Sequence, residues 1–240
     1  MKTDMKKYAP LVLGFAFFYP FVLTLFYFVV LANSAPALQK SVFAIGKMLQ
    51  FLFPVVWVAL VLREPWLIRP FHKRGVFEGI AFGTTVFLVM TALYHVVLKQ
   101  PGGYLAPNSK AVLMIQEKVG AFGIESLALF FVFGAFYSLI HSGLEEYYWR
   151  WFVFRRLKSA MNATTAVLVS SLGFTLHHIL VLGVYFGYTD PFAWFCAFGV
   201  TVGGAYWAWN YHRFGSIWPA WISHGIIDIA IFTIGFLVLK

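Results

Sequence analysis

Seven stretches of this chain, near residues 8–32, 41–62, 75–98, 124–149, 163–188, 191–211 and 216–239, are apolar for about the length of a bilayer crossing. A helix needs ~20 such residues to traverse hydrocarbon about 30 Å thick. The fourth has no obvious stop: its helical pattern runs on to about Leu157 and predicts a helix of about 50 Å that spans and then projects. Composition agrees. Only 11% of residues are charged and 61% are apolar, against about 25% charged in a soluble domain. The expected fold class is all-α: a polytopic transmembrane helix bundle of about seven spans, making residues 1–240 a single integral membrane domain.

The formal charge of +9 does not point to nucleic acid. The basic residues sit in short clusters between apolar runs, as membrane topology demands. With the N-terminus cytoplasmic, the inner segments hold Lys2, Lys6, Lys7, Arg63, Arg69, Lys73, Arg74, Arg155, Arg156, Lys158 and Arg213; the outer ones hold Lys40, Lys99, Lys110, Lys118 and Lys240. This bias predicts an N-inside, C-outside protein, multi-pass, in the plasma membrane if the source is prokaryotic. Met1–Lys7 resembles the basic start of a signal peptide, but the apolar run behind it exceeds the 7–15 residues of such a leader, so a retained helix is expected. Lys47, near one end of its segment, is expected to snorkel to the interface. Asn162-Ala163-Thr164 matches a glycosylation sequon, but this topology puts it inside. The single Cys196 excludes a disulfide framework and a cysteine metal site. A short amphipathic helix is expected at 111–118 in the long outer loop. Gly79-x-x-x-Gly83 and Gly199-x-x-x-Gly203 would each let helices approach closely.

Ionisable groups inside spans are costly and are functional candidates by default. His141, Glu145, Glu146 and Arg150 share one segment, His177 and His178 another, and His224 and Asp228 the last. Glu78, Glu125 and His95 lie near span ends and can reach the interface. Residues four apart share a helix face. Glu146 can therefore pair with Arg150, while Glu145, five residues away, points elsewhere and is left to face a cavity. His141 can bond Glu145, and His224 shares a face with Asp228. Counted from the cytoplasmic ends, Glu145, His178, His224 and Asp228 lie about 20, 22, 14 and 20 Å deep. Three helices can bring them to one level. The bland alternative is a polar network that only locks helices together; it is preferred for His177, and for His141 both readings stand.

Such a set carries the equipment to attack an amide with water. A desolvated carboxylate is a competent general base, and imidazole N–H groups can hold a developing oxyanion. No Ser/His/Asp triad is clear from spacing, and no HExxH helix supports a zincin.

The pattern resembles a known family. Glu145-Glu146-Tyr147-Tyr148-Trp149-Arg150 reads as EExxxR, Phe174-Thr175-Leu176-His177-His178 as FxxxH ending on His178, and His224-Gly225-Ile226-Ile227-Asp228 as HxxxN/D. In this order, with Gly215-Ser216-Ile217-Trp218-Pro219-Ala220 leading into the third, they resemble the CPBP family: CAAX proteases and bacteriocin-processing enzymes, also called Abi or Rce1-like. The likeness covers about residues 120–235. It implies an intramembrane endopeptidase cutting near the end of a membrane-associated or lipidated substrate, prenylated or not. Glu145 would activate water with His178. His224 and Asp228 would form the oxyanion side, although Asp228 stands where eukaryotic members carry Asn and an ionised Asp cannot donate. Glu146, Arg150 and His141 would support the site. The resemblance favours a mechanism without cofactor; the alternative is Zn²⁺ on Glu145, His178 and His224 with an open fourth position. Two other functions use the same buried polar residues: an ion- or proton-coupled transporter, and a non-catalytic membrane scaffold or immunity protein. Expected partners are membrane lipid and a membrane-associated or lipidated peptide, with no nucleic acid.

Overall fold

The computed structural model describes residues 8–65, 69–124 and 126–240. Lys2, Lys6, Lys7 and the rest of the basic start, and Glu125, lie outside the described residues. The described chain holds eight helices and no strand: α1 (Ala9–Val30), α2 (Pro36–Leu62), α3 (Lys73–Leu98), α4 (Lys110–Ala121), α5 (Leu127–Ala160), α6 (Ala163–Phe186), α7 (Pro191–Phe214) and α8 (Trp218–Leu239). Helices satisfy their backbone groups internally, which the lipid interior requires. Six of them, all but α4 and α7, are long and apolar enough to cross a membrane. Large apolar side chains such as Leu11, Phe18, Phe77 and Val96 point outward. This is an integral, multi-pass membrane protein.

The seventh expected span, α7, is as long as α6 at 24 residues. Trp, Tyr and Gly dilute its hydropathy. It packs antiparallel along α6: Phe186 meets Phe192 at the turn end, Thr175 meets Thr201 at 2.9 Å, and Ser171 faces Gly204 further along. α4, the amphipathic helix of the outer loop, covers Lys110–Ala121, somewhat longer than expected.

Helix ends follow side-chain chemistry. Ser109, Ser126 and Asn162 accept from the backbone N–H three residues on and cap α4, α5 and α6, leaving fewer amides unpaired at each N-terminus. The sequon asparagine is thus a helix cap. Asp190 caps α7 ahead of Pro191, and Gly215, at φ 65°, closes it. That left-handed turn suits glycine.

Two close approaches seat α8. A Cβ on Gly79 would collide with the Pro219 carbonyl oxygen, and one on Gly83 would stand 2.9 Å from that of Ser223. On the other side, a Cβ on Gly225 would lie 2.5 Å from the Ser138 carbonyl oxygen, and Gly143 accommodates the Trp221 ring. α8 is therefore pressed between α3 and α5. The second glycine pair does not act this way. Gly199 has nothing near its Cβ direction, and it is Gly204 that admits α6. Burial is heavy along α6 and along α5 from Glu145 to Phe154, and light in α3. α6 runs through the middle of the bundle and α3 lies at its lipid-facing edge.

Candidate active site

The site grows from a break in the regularity of α5. This helix passes into π-helical turns at Phe136–His141 and Tyr147–Phe154, leaving five α-helical residues, Ser142–Glu146, between them. Internal π turns re-aim the side chains beside them and are frequent at functional sites. Glu145 and Glu146 sit at this junction, both buried.

Glu146 and Arg150 pair, with Nε 2.9 Å from Oε2 and Nη2 3.4 Å from Oε1. Both are wholly enclosed. The guanidinium lies over the Phe174 and Trp207 rings, at 5.1 and 5.5 Å. Glu146 does more than neutralise Arg150. Its Oε1 accepts from His224 Nδ1 of α8 at 2.9 Å, which fixes that imidazole with Nε2 turned the other way. Trp207 stacks on a face of the ring, 4.2 Å between centroids and 16° from parallel, and donates its own N–H to Ser223. His224 Nε2 then faces two further carboxylates: Glu145 Oε2 at 3.9 Å and Asp228 Oδ1 at 3.8 Å.

Glu145 is encircled rather than left facing an open cavity. His141 Nε2 is 3.3 Å and His177 Nε2 3.7 Å from its Oε1. The ammonium of Lys47, from α2, is 3.8 Å from the same oxygen. This overturns the interface position expected for Lys47. It lies eleven residues into α2, about 16 Å of helix, and its side chain is only 16% exposed. A lone Lys at that depth costs about 2.5–3.5 kcal/mol; a facing carboxylate offsets this more directly than a long reach to water. Rings of Phe43 and Phe51 flank the ammonium at 5.6 and 5.5 Å.

The two adjacent histidines of α6 divide differently from the expectation. His178 Nδ1–H donates to the Phe174 carbonyl at 2.9 Å, so Nε2 is the nitrogen free to accept. His177, expected to be structural, is also at the site: buried, stacked parallel on Trp149, 4.1 Å from the His178 ring between centroids, and directed at Glu145. Ligand atoms of Glu145, His177 and His178 all fall within 4.8 Å of one another. The zinc alternative named His224 in place of His177, and among the described residues that set does not close up in this way.

Helices α5, α6 and α8 thus bring every expected site residue into one cluster. The sequence reading missed Lys47 and Trp207. Trp207 carries no signal on its own. Lys47 carried one in the charge balance: Glu145, Glu146 and Asp228 outnumber Arg150 within the spans, and Lys47 is another intramembrane cation. Glu78, assigned to a span end, is there indeed, held by Arg213 at 2.7 Å and Arg74 at 3.2 Å.

Residues 125–230 match the model of a protein family described as type II CAAX prenyl endopeptidase Rce1-like. No curated protein and no solved structure matches the chain. The matched segment takes in all of α5, α6 and α7, and α8 as far as Ala230, and therefore the three motifs and the cluster they form. Over residues 125–230 the chain is thus similar to the Rce1-like family of CAAX-type prenyl endopeptidases.

Proposed function

We propose that this protein is an intramembrane endopeptidase that hydrolyses a peptide bond near the end of a membrane-associated protein or peptide, with Glu145 activating the water. The observation that carries this reading is the meeting of Glu145 with imidazoles from two other helices, His178 of α6 and His224 of α8, in one enclosed polar centre. Water between Glu145 and His178 Nε2 gives a proton to Glu145 while its second hydrogen is held by His178. The hydroxide adds to the scissile carbonyl carbon. His224, held through Nδ1–H by Glu146, acts as an imidazolium whose second N–H, at Nε2, is presented to the oxygen as charge develops there. Asp228 acts on the same nitrogen and orients it. Collapse of the tetrahedral intermediate expels the amine, which takes the proton back from Glu145. Glu146 and Arg150 are positioning residues, acting through His224.

A metal-dependent version would place the ion on Glu145, His177 and His178, three donors of the kind zinc accepts with one position open, where it would lower the pKa of bound water. The donor types fit. The charge does not: the Lys47 ammonium is 3.8 Å from the same Glu145 oxygen and would repel a divalent cation. That favours the metal-free reading. The packing of α7 along α6 favours a seventh crossing, with the N-terminus cytoplasmic and the C-terminus outside.

Purified protein in detergent, given prenylated and plain C-terminal peptides, tests the reading. Glu145→Gln and His178→Ala should each lower kcat/KM by about 10²–10⁴, the usual contribution of a general base. Undiminished cleavage by both variants would falsify the site. Activity that survives strong chelation favours the metal-free mechanism. Ion flux in liposomes without hydrolysis would replace the peptidase by a transporter.

A further inference from the structure

We infer that Lys47 of α2, which lies outside the family-matched segment, is a positioning residue for the proposed base: it anchors one oxygen of Glu145 so that the other faces the reacting water. The inference rests on the reading of Glu145 as the base.

The two oxygens of Glu145 have unlike surroundings. Oε1 faces three nitrogens from three helices: His141 Nε2 of α5 at 3.3 Å, His177 Nε2 of α6 at 3.7 Å and Lys47 Nζ of α2 at 3.8 Å. Oε2 faces His224 Nε2 of α8 at 3.9 Å. Of these four groups only Lys47 is an aliphatic ammonium, on a side chain with no ring to wedge it. It is steered instead by Phe43 and Phe51, one helical turn to either side, whose faces flank the ammonium. Ring faces attract a cation and hold it in place. Phe51 is itself packed edge-on against His141 and Tyr148 of α5. α2 is thereby keyed to α5 at the level of the carboxylate, and the Lys47 charge is delivered to Oε1.

A carboxylate held at one oxygen cannot spin about its terminal torsion, which is otherwise broad. The lone pairs of the other oxygen then keep a constant direction toward the His224 side, where the oxyanion is proposed to form. Orientation of this kind affects the chemical step rather than substrate binding. Glu146 has Arg150 as its own counter-ion, so Lys47 is the Lys or Arg cation that this geometry assigns to Glu145 among the described residues.

The test uses the full-length protein in detergent with a cleavable C-terminal peptide, comparing Lys47→Met, Lys47→Arg and Glu145→Gln. Lys47→Met keeps an unbranched side chain one heavy atom shorter and removes the charge. It should lower kcat by about 10²-fold, the scale of an ångström-level misplacement, with KM unchanged. Lys47→Arg, which keeps the charge, should recover most of the loss. Thermal midpoints for all three show whether each is folded. If Lys47→Met raises KM while kcat holds, Lys47 binds the substrate and the positioning role is wrong. If Lys47→Met and Lys47→Arg lose equal activity, the charge is not what matters and the inference fails. Wild-type rates in Lys47→Met alongside an inactive Glu145→Gln would sink this inference alone, whereas an active Glu145→Gln would sink the reading beneath it.

Discussion

Helices α5 to α8 and helices α1 to α3 meet the same solvent by different means. Three of the later helices, α5, α6 and α8, carry ionisable residues at mid-span, and each such residue is conspicuous in its sequence. The earlier helices are almost wholly apolar there, and only the later segment matches a known family. Yet both halves build the site. α2 supplies the cation beside Glu145, and α3 supplies Gly79 and Gly83, against which α8 and its His224 are seated. The contrast shows that a helix can contribute to a polar centre by chemistry or by surface relief. Only the first kind is marked by unusual residues.

If the later half carries its weight through chemistry, the largest loss of stability should come from breaking its enclosed ion pair. Arg150→Met leaves Glu146 without its guanidinium and without access to water, held by the His224 imidazole alone. Removing one partner of a buried pair costs about 3–5 kcal/mol. The double variant Glu146→Gln/Arg150→Met should regain much of this, because no charge is left stranded. Cleavage should stay low in the double variant, since Glu146 also holds His224 at 2.9 Å. Thermal unfolding and peptide hydrolysis measured on the same preparations separate the two effects. Recovery of both together would mean that the pair serves stability alone.

This distinction bears on what could be read in advance. Contacts within a helix were legible, because four-residue spacing fixes them: Glu146 with Arg150, Phe174 with His178, His224 with Asp228. Depth was legible by counting residues, which is why Glu145, His178 and His224 could be placed at one level. Rotation about each helix axis was not. The π turns on both sides of Ser142–Glu146 re-aim the side chains around Glu145, and nothing in a single sequence marks them. For that reason the Glu146–His224 bond, the approach of His177 and the Lys47–Glu145 contact emerged only from the structure. The two Gly-x-x-x-Gly patterns make the same point. Their spacing is identical, but one faces a neighbouring helix across its whole length and the other does not.

The glycines of the earlier half offer the next test, on surface relief. Gly79→Ala would drive a methyl group into the Pro219 carbonyl oxygen, where neither backbone can yield cheaply. Overpacking of this kind costs about 1–3 kcal/mol. Gly83→Ala should cost a comparable amount and also lower activity, because the atom it displaces belongs to Ser223, next to His224. Gly199→Ala, with open space at its Cβ position, should stay within about 0.5 kcal/mol of the parent. Melting curves in detergent read all three. A Gly79→Ala protein as stable as Gly199→Ala would remove the argument that α3 seats α8.

The smallest effect is expected where the two halves meet outside the membrane. Glu64, two residues past the end of α2, accepts two bonds from Arg156 near the end of α5, at 2.7 and 3.0 Å. The hydrogen bonding to Arg156, with the charge of that guanidinium, holds the Glu64 carboxyl below its ordinary value against a partial desolvation that pushes the other way. A carboxylate lowered in the folded state adds stability above its unfolded value, about 4.3. That stability is lost as pH falls through the lower folded value, when the acid becomes protonated in both states. Both side chains are partly exposed, at 25% and 34%, so water and salt screen the pair. Its worth is about 0.2–1 kcal/mol. Glu64→Gln should therefore lower the melting point slightly at pH 7, and the gap should close as the pH is taken below about 4 or the salt raised. A gap that widens on acidification would place the effect in some other group. One that persists unchanged at high salt would make this contact between the halves a matter of packing, like the glycine seat, rather than of charge.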